Sequence, residues 1–161
     1  VAERPAVNAS PLIFLAGAEL LNLLRLAGDE VIVPIAVAEE INQRGPNDPT
    51  ARAMDETAWL VIKETPPVPP IIHAWGLGRG EASVLSWAYA HPGAEAIIDD
   101  LAGRRCAAAL GIAVRGTLGL VLVAKQRGKI ASARSVLDQL RQSGMYLSDS
   151  VLNQSLALIG E

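Results

Sequence analysis

The sequence predicts an α/β fold in three layers, a central parallel sheet flanked by helices. Three observations predict it. Short strand-like runs alternate with longer segments of helical period along the whole chain. The runs Val31-Ile32-Val33 and Ala96-Ile97-Ile98 are apolar at every position, as strands are when both their faces are covered. The chain has 161 residues, half of them hydrophobic and only 4% aromatic, so one domain-sized core must be filled by aliphatic side chains. A single domain over residues 1–161 is expected.

Taken in order, Ala6-Val7 reads as a short first strand. Ser10 stands where a cap would, with Pro11 in the first turn of a helix expected to run to about Leu26, before Gly28. Its polar stripe of Glu19, Asn22 and Arg25 is narrow, which predicts a largely buried helix. Val31 to Val33 is the second strand, and Pro34 opens a helix to about Arg44, closed by Gly45-Pro46. A helix from about Thr50 to Ala58 leads into a strand from Trp59 to Lys63. Pro66-Pro67-Val68-Pro69-Pro70 is a stiff extended connector, because proline supplies no amide donor and fixes φ. Gly80 to about Ala90 is a helix, Ala96 to Ile98 a buried strand, and Leu101 to Leu110 a helix ending at Gly111. Ile112 to Val114 is a candidate fifth strand. Three helices follow, Leu118 to Gln126, Ser132 to Gln142, and Asp149 to Ile159 with Ser148 as cap. No internal repeat is present.

Composition excludes several classes. The lone Cys106 can make neither an internal disulfide nor a cysteine zinc site, and is expected as a small core residue beside Ala102 and Ala109. No signal peptide or membrane-length apolar run is found, so a cytoplasmic protein without a membrane contact is expected. Few aromatics disfavour base stacking as the main mode of recognition, and Trp59, Trp75, Trp87 and Tyr89 are expected in the core or an interface. Net charge is −3, yet residues 1–100 carry six bases against fourteen acids and residues 101–161 eight against three, giving −8 and +5. Such a division suits acids that gather a cation and bases that meet phosphates. Gly76-Leu77-Gly78-Arg79-Gly80-Glu81 fails the dinucleotide fingerprint, since Glu81 takes the last glycine position and no strand precedes it. His73 and His91 lack zinc-ligand spacing; His91 is expected at a helix end and His73 in local packing.

In a parallel sheet, ligands bind beyond the carboxyl ends of the strands. Asn8 follows the first strand and Asp99-Asp100 the Ile97-Ile98 strand, so all three stand on that edge. On the helix after Pro34, Glu40 lies beside the inward residues Val37 and Ile41, whereas Glu39 faces water. Glu81, in the first turn of its helix, shares a face with Leu85 and Ala88. Carboxylates packed together repel one another, and a divalent cation relieves the repulsion. Two or three of them can hold Mg²⁺ or Mn²⁺ and leave room for a phosphate and a water. Arg104 and Arg105, about one helical turn past Asp99-Asp100, are candidate phosphate contacts.

These segments also carry a resemblance. Val7-Asn8-Ala9-Ser10-Pro11-Leu12-Ile13, Val33-Pro34 with Val37 and Glu40-Ile41, Gly80-Glu81-Ala82, and Ile98-Asp99-Asp100 with Arg104 and Ala107 resemble the PIN-domain family of nucleases. The nearest branch is the uncharacterised PIN-like group related to VapC-type toxins, to which Gly116-Thr117-Leu118-Gly119 and the Gly144 to Leu156 region are also similar. The resemblance covers almost the whole chain. It implies a Rossmann-like PIN fold, a magnesium- or manganese-dependent endoribonuclease acting on RNA, a toxin with an antitoxin partner, and a homodimer.

Carried over by position, the family's acids fall on Asn8, Glu40, Glu81, and Asp99 or Asp100, all five being candidate metal ligands. Glu40, Glu81, Asp99 and Asp100 are the candidate catalytic residues, with Asp99 favoured over Asp100 for the metal. Ser10, Arg104 and Arg105 are candidate substrate contacts. Asn8 departs from the pattern, because an amide can ligate a cation but adds no charge. A second reading is therefore a catalytically weakened PIN fold that binds nucleic acid or regulates. The apolar residues Val136, Leu137, Leu140, Val151, Leu152, Leu156 and Ile159 on the last two helices suggest either a dimer or antitoxin surface or a closed core.

Overall fold

Strands Ala6–Val7 (β1), Val31–Pro34 (β2), Leu60–Lys63 (β3), Ala96–Ile97 (β4) and Val114–Arg115 (β5) form one parallel sheet in the order β3-β2-β1-β4-β5. The structure is a computed structural model that describes residues 3–161. Helices are Ala9–Gly17 (α1), Ile35–Asn42 (α2), Pro49–Glu56 (α3), Pro70–His73 (α4), Arg79–Ala90 (α5), Leu101–Ala109 (α6), Thr117–Gln126 (α7), Ala133–Gln142 (α8) and Asp149–Leu158 (α9), with a 3-10 helix at Leu21–Leu26. Successive strand residues point to opposite faces, and Ala6, Val7, Val31, Ile32, Val33, Ala96 and Ile97 are all fully buried. Helices must therefore cover both sides of the sheet, which is the three-layer α/β arrangement expected.

Register positions the site. Ala6 pairs with Ile32 and Ala96, and Val7 with Ile97, so the chain leaves β1 and β4 at the same height. The Asn8 amide donates to the Ile97 carbonyl at 3.0 Å, which extends that pairing by one residue. Ile97 also pairs with Arg115, which brings Gly116-Thr117 alongside Ile98-Asp99. From β1 the chain winds outward to β2 and β3, then crosses back to β4 and β5. Neighbouring connections thus diverge between β1 and β4, and a crevice forms at that switch point.

The first helix departs most from expectation. It does not continue to Leu26 but stops at Gly17, and Glu19 takes a left-handed φ of 58° before the 3-10 helix starts. The break is closed like a helix C-terminus: Glu19 N donates to the Ala16 carbonyl and Leu20 N to the Leu15 carbonyl. The Ala18 carbonyl left free accepts from Gln139 Nε2 of α8 at 2.7 Å, a partner 121 residues away. Ser10 is inside α1, whose cap position is Asn8. Pro70 begins a helical turn instead of ending the extended connector, as proline does well at a first helical position. β5 lies one to two residues later than Ile112 to Val114, and β4 ends at Ile97.

The interior is aliphatic as expected. Cys106 is buried, and burial pushes its thiol pKa up, so it is a poor nucleophile. Its neighbours on the inward face of α6 are Gly103 and Ala107, however, while Ala102 and Ala109 are exposed. His91 ends α5 and stacks on Trp87 at 3.8 Å, but His73 is exposed and not in local packing. Trp87 is buried and Trp59 half-buried, whereas Trp75 and Tyr89 are exposed. Of the apolar residues on the last two helices, Val136, Leu137, Leu140, Leu152 and Leu156 are buried within the chain, Ile159 is half-buried, and Val151 and Leu158 are exposed. The terminal helix pair is mainly a closed core. No helix among the described residues is long and apolar enough to cross a membrane.

Candidate functional site

Two glycines mark where the sequence-distant acids meet. Gly80 of α5 is buried, and a Cβ on it would lie 3.0 Å from Asn8 Oδ1, 3.3 Å from Val37 Cγ2 and 3.9 Å from Glu40 Oε1. Asn8 from the end of β1 and Glu40 from α2 therefore converge on the first turn of α5. Gly103 of α6 has the same property: a Cβ there would lie 3.0 Å from Ile98 Cγ2 and 3.2 Å from Glu81 Oε2. A glycine inside a helix costs about 1 kcal/mol relative to alanine. What offsets that cost is the close approach of Asn8 and Val37 at Gly80, and of Ile98 and the Glu81 carboxylate at Gly103.

Glu81 is the electrostatic centre. Its carboxyl pKa is raised, by burial first, then by the charge of Asp100 and a hydrogen bond with it, and last by the charge of Glu40. Asp100 also caps α6, its Oδ2 accepting from Ala102 N at 3.1 Å and Gly103 N at 3.3 Å. Glu39 is turned away as expected and pairs with Arg79 at 3.0 Å on the exposed surface. Asn8 is only 7% exposed, and its side chain does not cap α1, which leaves its amide for the crevice.

Asp99 and Asp100 point to different partners, as neighbours leaving a strand do. Asp99 accepts twice from Thr117, at 2.7 Å from the backbone N–H and at 2.7 Å from the hydroxyl. Both of its oxygens are thus committed to the start of α7, and Thr117 itself is 0% exposed. The acid brought against Glu81 is Asp100, not the Asp99 that residue order favours.

Beside this acidic group lies a cleft of about 420 Å³ lined by Ser10, Phe14, Asp99, Asp100, Leu101, Arg104, Leu118, Met145, Tyr146 and Leu147. Of the two arginines, only Arg104 lines it; Arg105 is exposed elsewhere on α6. A larger hollow of about 600 Å³, lined by residues including Glu19, Asn22, Arg52, Glu56 and Trp59, holds none of the candidate site residues. Of the candidate site residues the smaller cleft is lined by Ser10, Asp99, Asp100 and Arg104, and not by Asn8, Glu40 or Glu81.

Whether these residues suit a divalent cation can be asked of their donors. In this conformation no three His, Cys, Asp or Glu side chains among the described residues are grouped closely enough to hold an ion by themselves. The donors available are all oxygens, however, and Mg²⁺ keeps several waters and needs only one or two carboxylates from a protein. Glu81 and its neighbour Asp100, with the Asn8 amide nearby, meet that lower requirement, and burial together with the Asp100 and Glu40 charges holds the Glu81 carboxyl pKa above its usual value, a cost a cation would offset.

Residue order placed Gly80, Thr117 and Tyr146 in segments that carry the resemblance but gave none of them, nor Gly103, a role. A helix-interior glycine one turn after Asp99 was a readable sign at Gly103; the exposed Tyr146 had none. No curated protein and no solved structure matches the chain at a significant level. One family model, DUF3368: PIN domain, matches residues 5–161. PIN domains are generally nucleases that act on RNA or DNA and typically use divalent metals. With the parallel sheet, the acids at its switch point and this match over nearly its full length, the chain belongs to the PIN-domain family.

Proposed function

We propose that this protein is a divalent-metal-dependent endoribonuclease that cleaves RNA phosphodiester bonds. The observation that carries the reading is the convergence of acids from three separate elements on the first turns of α5 and α6: Glu40 Oε1 would lie 3.9 Å from a Cβ on Gly80, Glu81 Oε2 would lie 3.2 Å from a Cβ on Gly103, and Asp100 caps α6. Glu81 and Asp100 would hold Mg²⁺ or Mn²⁺ with water filling the remaining positions, and Glu40 and the Asn8 amide oxygen would stand beside the ion. The ion, when bound, lowers the pKa of a water and screens charge on the attacked phosphate. Asp99 keeps the start of α7 fixed against the β4 edge, and Arg104 orients the phosphate in the cleft. Asp100 holds the first turn of α6, so the helix carrying Arg104 is set relative to the acids.

The test is cleavage of RNA with added Mn²⁺ by wild type, Glu40→Gln and Glu81→Gln. Loss of cleavage in both variants, with retained folding by circular dichroism, is expected; undiminished cleavage in both overturns the reading. Asn8 supports a second reading, a catalytically weakened module that binds nucleic acid, because a neutral amide stands where the family's first acid is expected. RNA binding without cleavage by wild type, and cleavage gained in Asn8→Asp, would favour it. A toxin role in the cytoplasm, with an antitoxin or a second copy as partner, belongs to the same proposal; Val151 and the 81% exposed Leu158 on α9 are the apolar surface left for such contact.

A further inference from the structure

Gly116, between β5 and α7, has an extended backbone, with φ −100° and ψ 176°, that any residue adopts. Turn geometry therefore does not require a glycine there. The residue is buried, and a Cβ on it would lie 2.7 Å from Arg104 Nη1 and 3.0 Å from Asp99 Oδ1. Non-bonded atoms settle at about 3.5–4.0 Å, so the Arg104 guanidinium occupies space that any side chain at this position would claim. Arg104 lines the cleft with Asp99 and Asp100, yet among the described residues it forms an ion pair with neither. Both acids are engaged elsewhere, Asp99 with Thr117 and Asp100 with the first turn of α6. The guanidinium is thus held close to Asp99 with its own N–H donors uncommitted. Such a planar fork of donors matches a phosphate, and less is lost on binding when the fork is already oriented.

We propose that Gly116 is a positioning residue of the site: by leaving its own place open it seats the Arg104 guanidinium, donors free, for one phosphate of the substrate. The proposal rests on the nuclease reading, in which Arg104 orients a phosphate.

The test compares wild type, Gly116→Ala, Arg104→Ala and the double variant on a short fluorescein-labelled RNA over a series of KCl concentrations. Cleavage with Mn²⁺ gives KM and kcat, and fluorescence anisotropy in EDTA gives Kd. Arg104→Ala should raise KM and Kd by about tenfold, the scale of one charge-assisted contact. It should also flatten the salt dependence of log Kd by about 0.7–0.9, the share of one phosphate. Gly116→Ala should do the same in smaller measure, about three- to tenfold, with KM changed more than kcat. In the Arg104→Ala background it should add nothing to KM, Kd or the salt slope, the non-additivity of a residue that acts through the arginine. If Gly116→Ala keeps the wild-type Kd and salt slope, or costs as much without Arg104 as with it, the seat is refuted, while cleavage by wild type keeps the nuclease reading. If wild type binds with the expected pattern but does not cleave, the nuclease reading falls and the seat stands; if it neither binds nor cleaves, both fall. Should Gly116→Ala not fold, the double variant decides: folding regained places the clash at the guanidinium, as proposed, and continued failure places it at Asp99 and refutes the seat.

Discussion

Replacing Thr117 by valine isolates the brace that ties the β4 edge to α7. Valine has the shape of threonine, so the packing of this fully buried side chain is kept and only the hydroxyl is exchanged for a methyl group. What is lost is the 2.7 Å hydrogen bond to Asp99 Oδ2, while the backbone bond to Oδ1, also 2.7 Å, remains. A hydrogen bond to a charged group contributes about 1.5–3 kcal/mol. Asp99 is half-buried, so the released oxygen is partly rehydrated and the lower end applies. A loss of about 1.5 kcal/mol follows, which for a chain of this size is a fall in Tm of roughly 3–6 °C. Thermal unfolding followed by circular dichroism measures it. Asp99→Asn and the double variant complete a cycle whose coupling should be about 1 kcal/mol. Additive losses in that cycle, or a Thr117→Val protein as stable as wild type, would refute the brace. The same proteins separate the two aspartates: because Asp99 is committed to Thr117, Asp100→Asn should raise the Mn²⁺ concentration needed for cleavage more than Asp99→Asn does.

Asn8→Asp adds a carboxylate where the family's first acid is expected, so it should tighten Mn²⁺ binding in a calorimetric titration and speed cleavage; unchanged or weaker binding would count against the site as described. Glu81 has its pKa raised above the usual 4.5 by burial and by Asp100, so its contribution to stability is full below 4.5 and is lost as pH climbs through the raised value. Glu81→Gln in EDTA should therefore raise Tm at neutral pH, with the advantage shrinking toward acid pH; a lower Tm at neutral pH would contradict the crowding of acids around it. Gly103→Ala gains helix propensity but drives a Cβ to 3.0 Å from Ile98 and 3.2 Å from Glu81 Oε2, so a net loss of about 1–3 kcal/mol in denaturant unfolding is expected, together with reduced cleavage. A stabilised and fully active Gly103→Ala protein would show that the close approach of Glu81 is not needed.

Much of this molecule is legible in residue order because its signals are local. Periodicity separates strands from helices, unbroken apolar runs such as Val31 to Val33 mark a sheet covered on both faces, and Ser148 announces the helix it caps. The expected strand alternation also put Asn8 and Asp99-Asp100 on one edge, and helical geometry turned Glu40 toward Gly80 and Glu39 toward Arg79, although both side chains are exposed. The failures are equally physical. A helix that looked continuous to Leu26 is broken at Glu19, because the free Ala18 carbonyl finds Gln139 on α8, and no local pattern reports a partner so distant. Ala102 and Ala109 fall outside the core for a similar reason: Gly103 and Ala107 face the sheet, and which side of a small-residue helix packs inward is settled by what it meets.

Sequence by itself determined the α/β class, the parallel sheet, and which acids stand near its carboxyl edge, since these depend on the period and polarity of short stretches. Only the tertiary structure decided that Asp100 meets Glu81 while Asp99 is held by Thr117, and that Tyr146 stands open beside them. Adjacent residues leaving a strand point opposite ways, and which of the two enters a site depends on the registers of β1, β4 and β5, a relation among segments far apart along the chain.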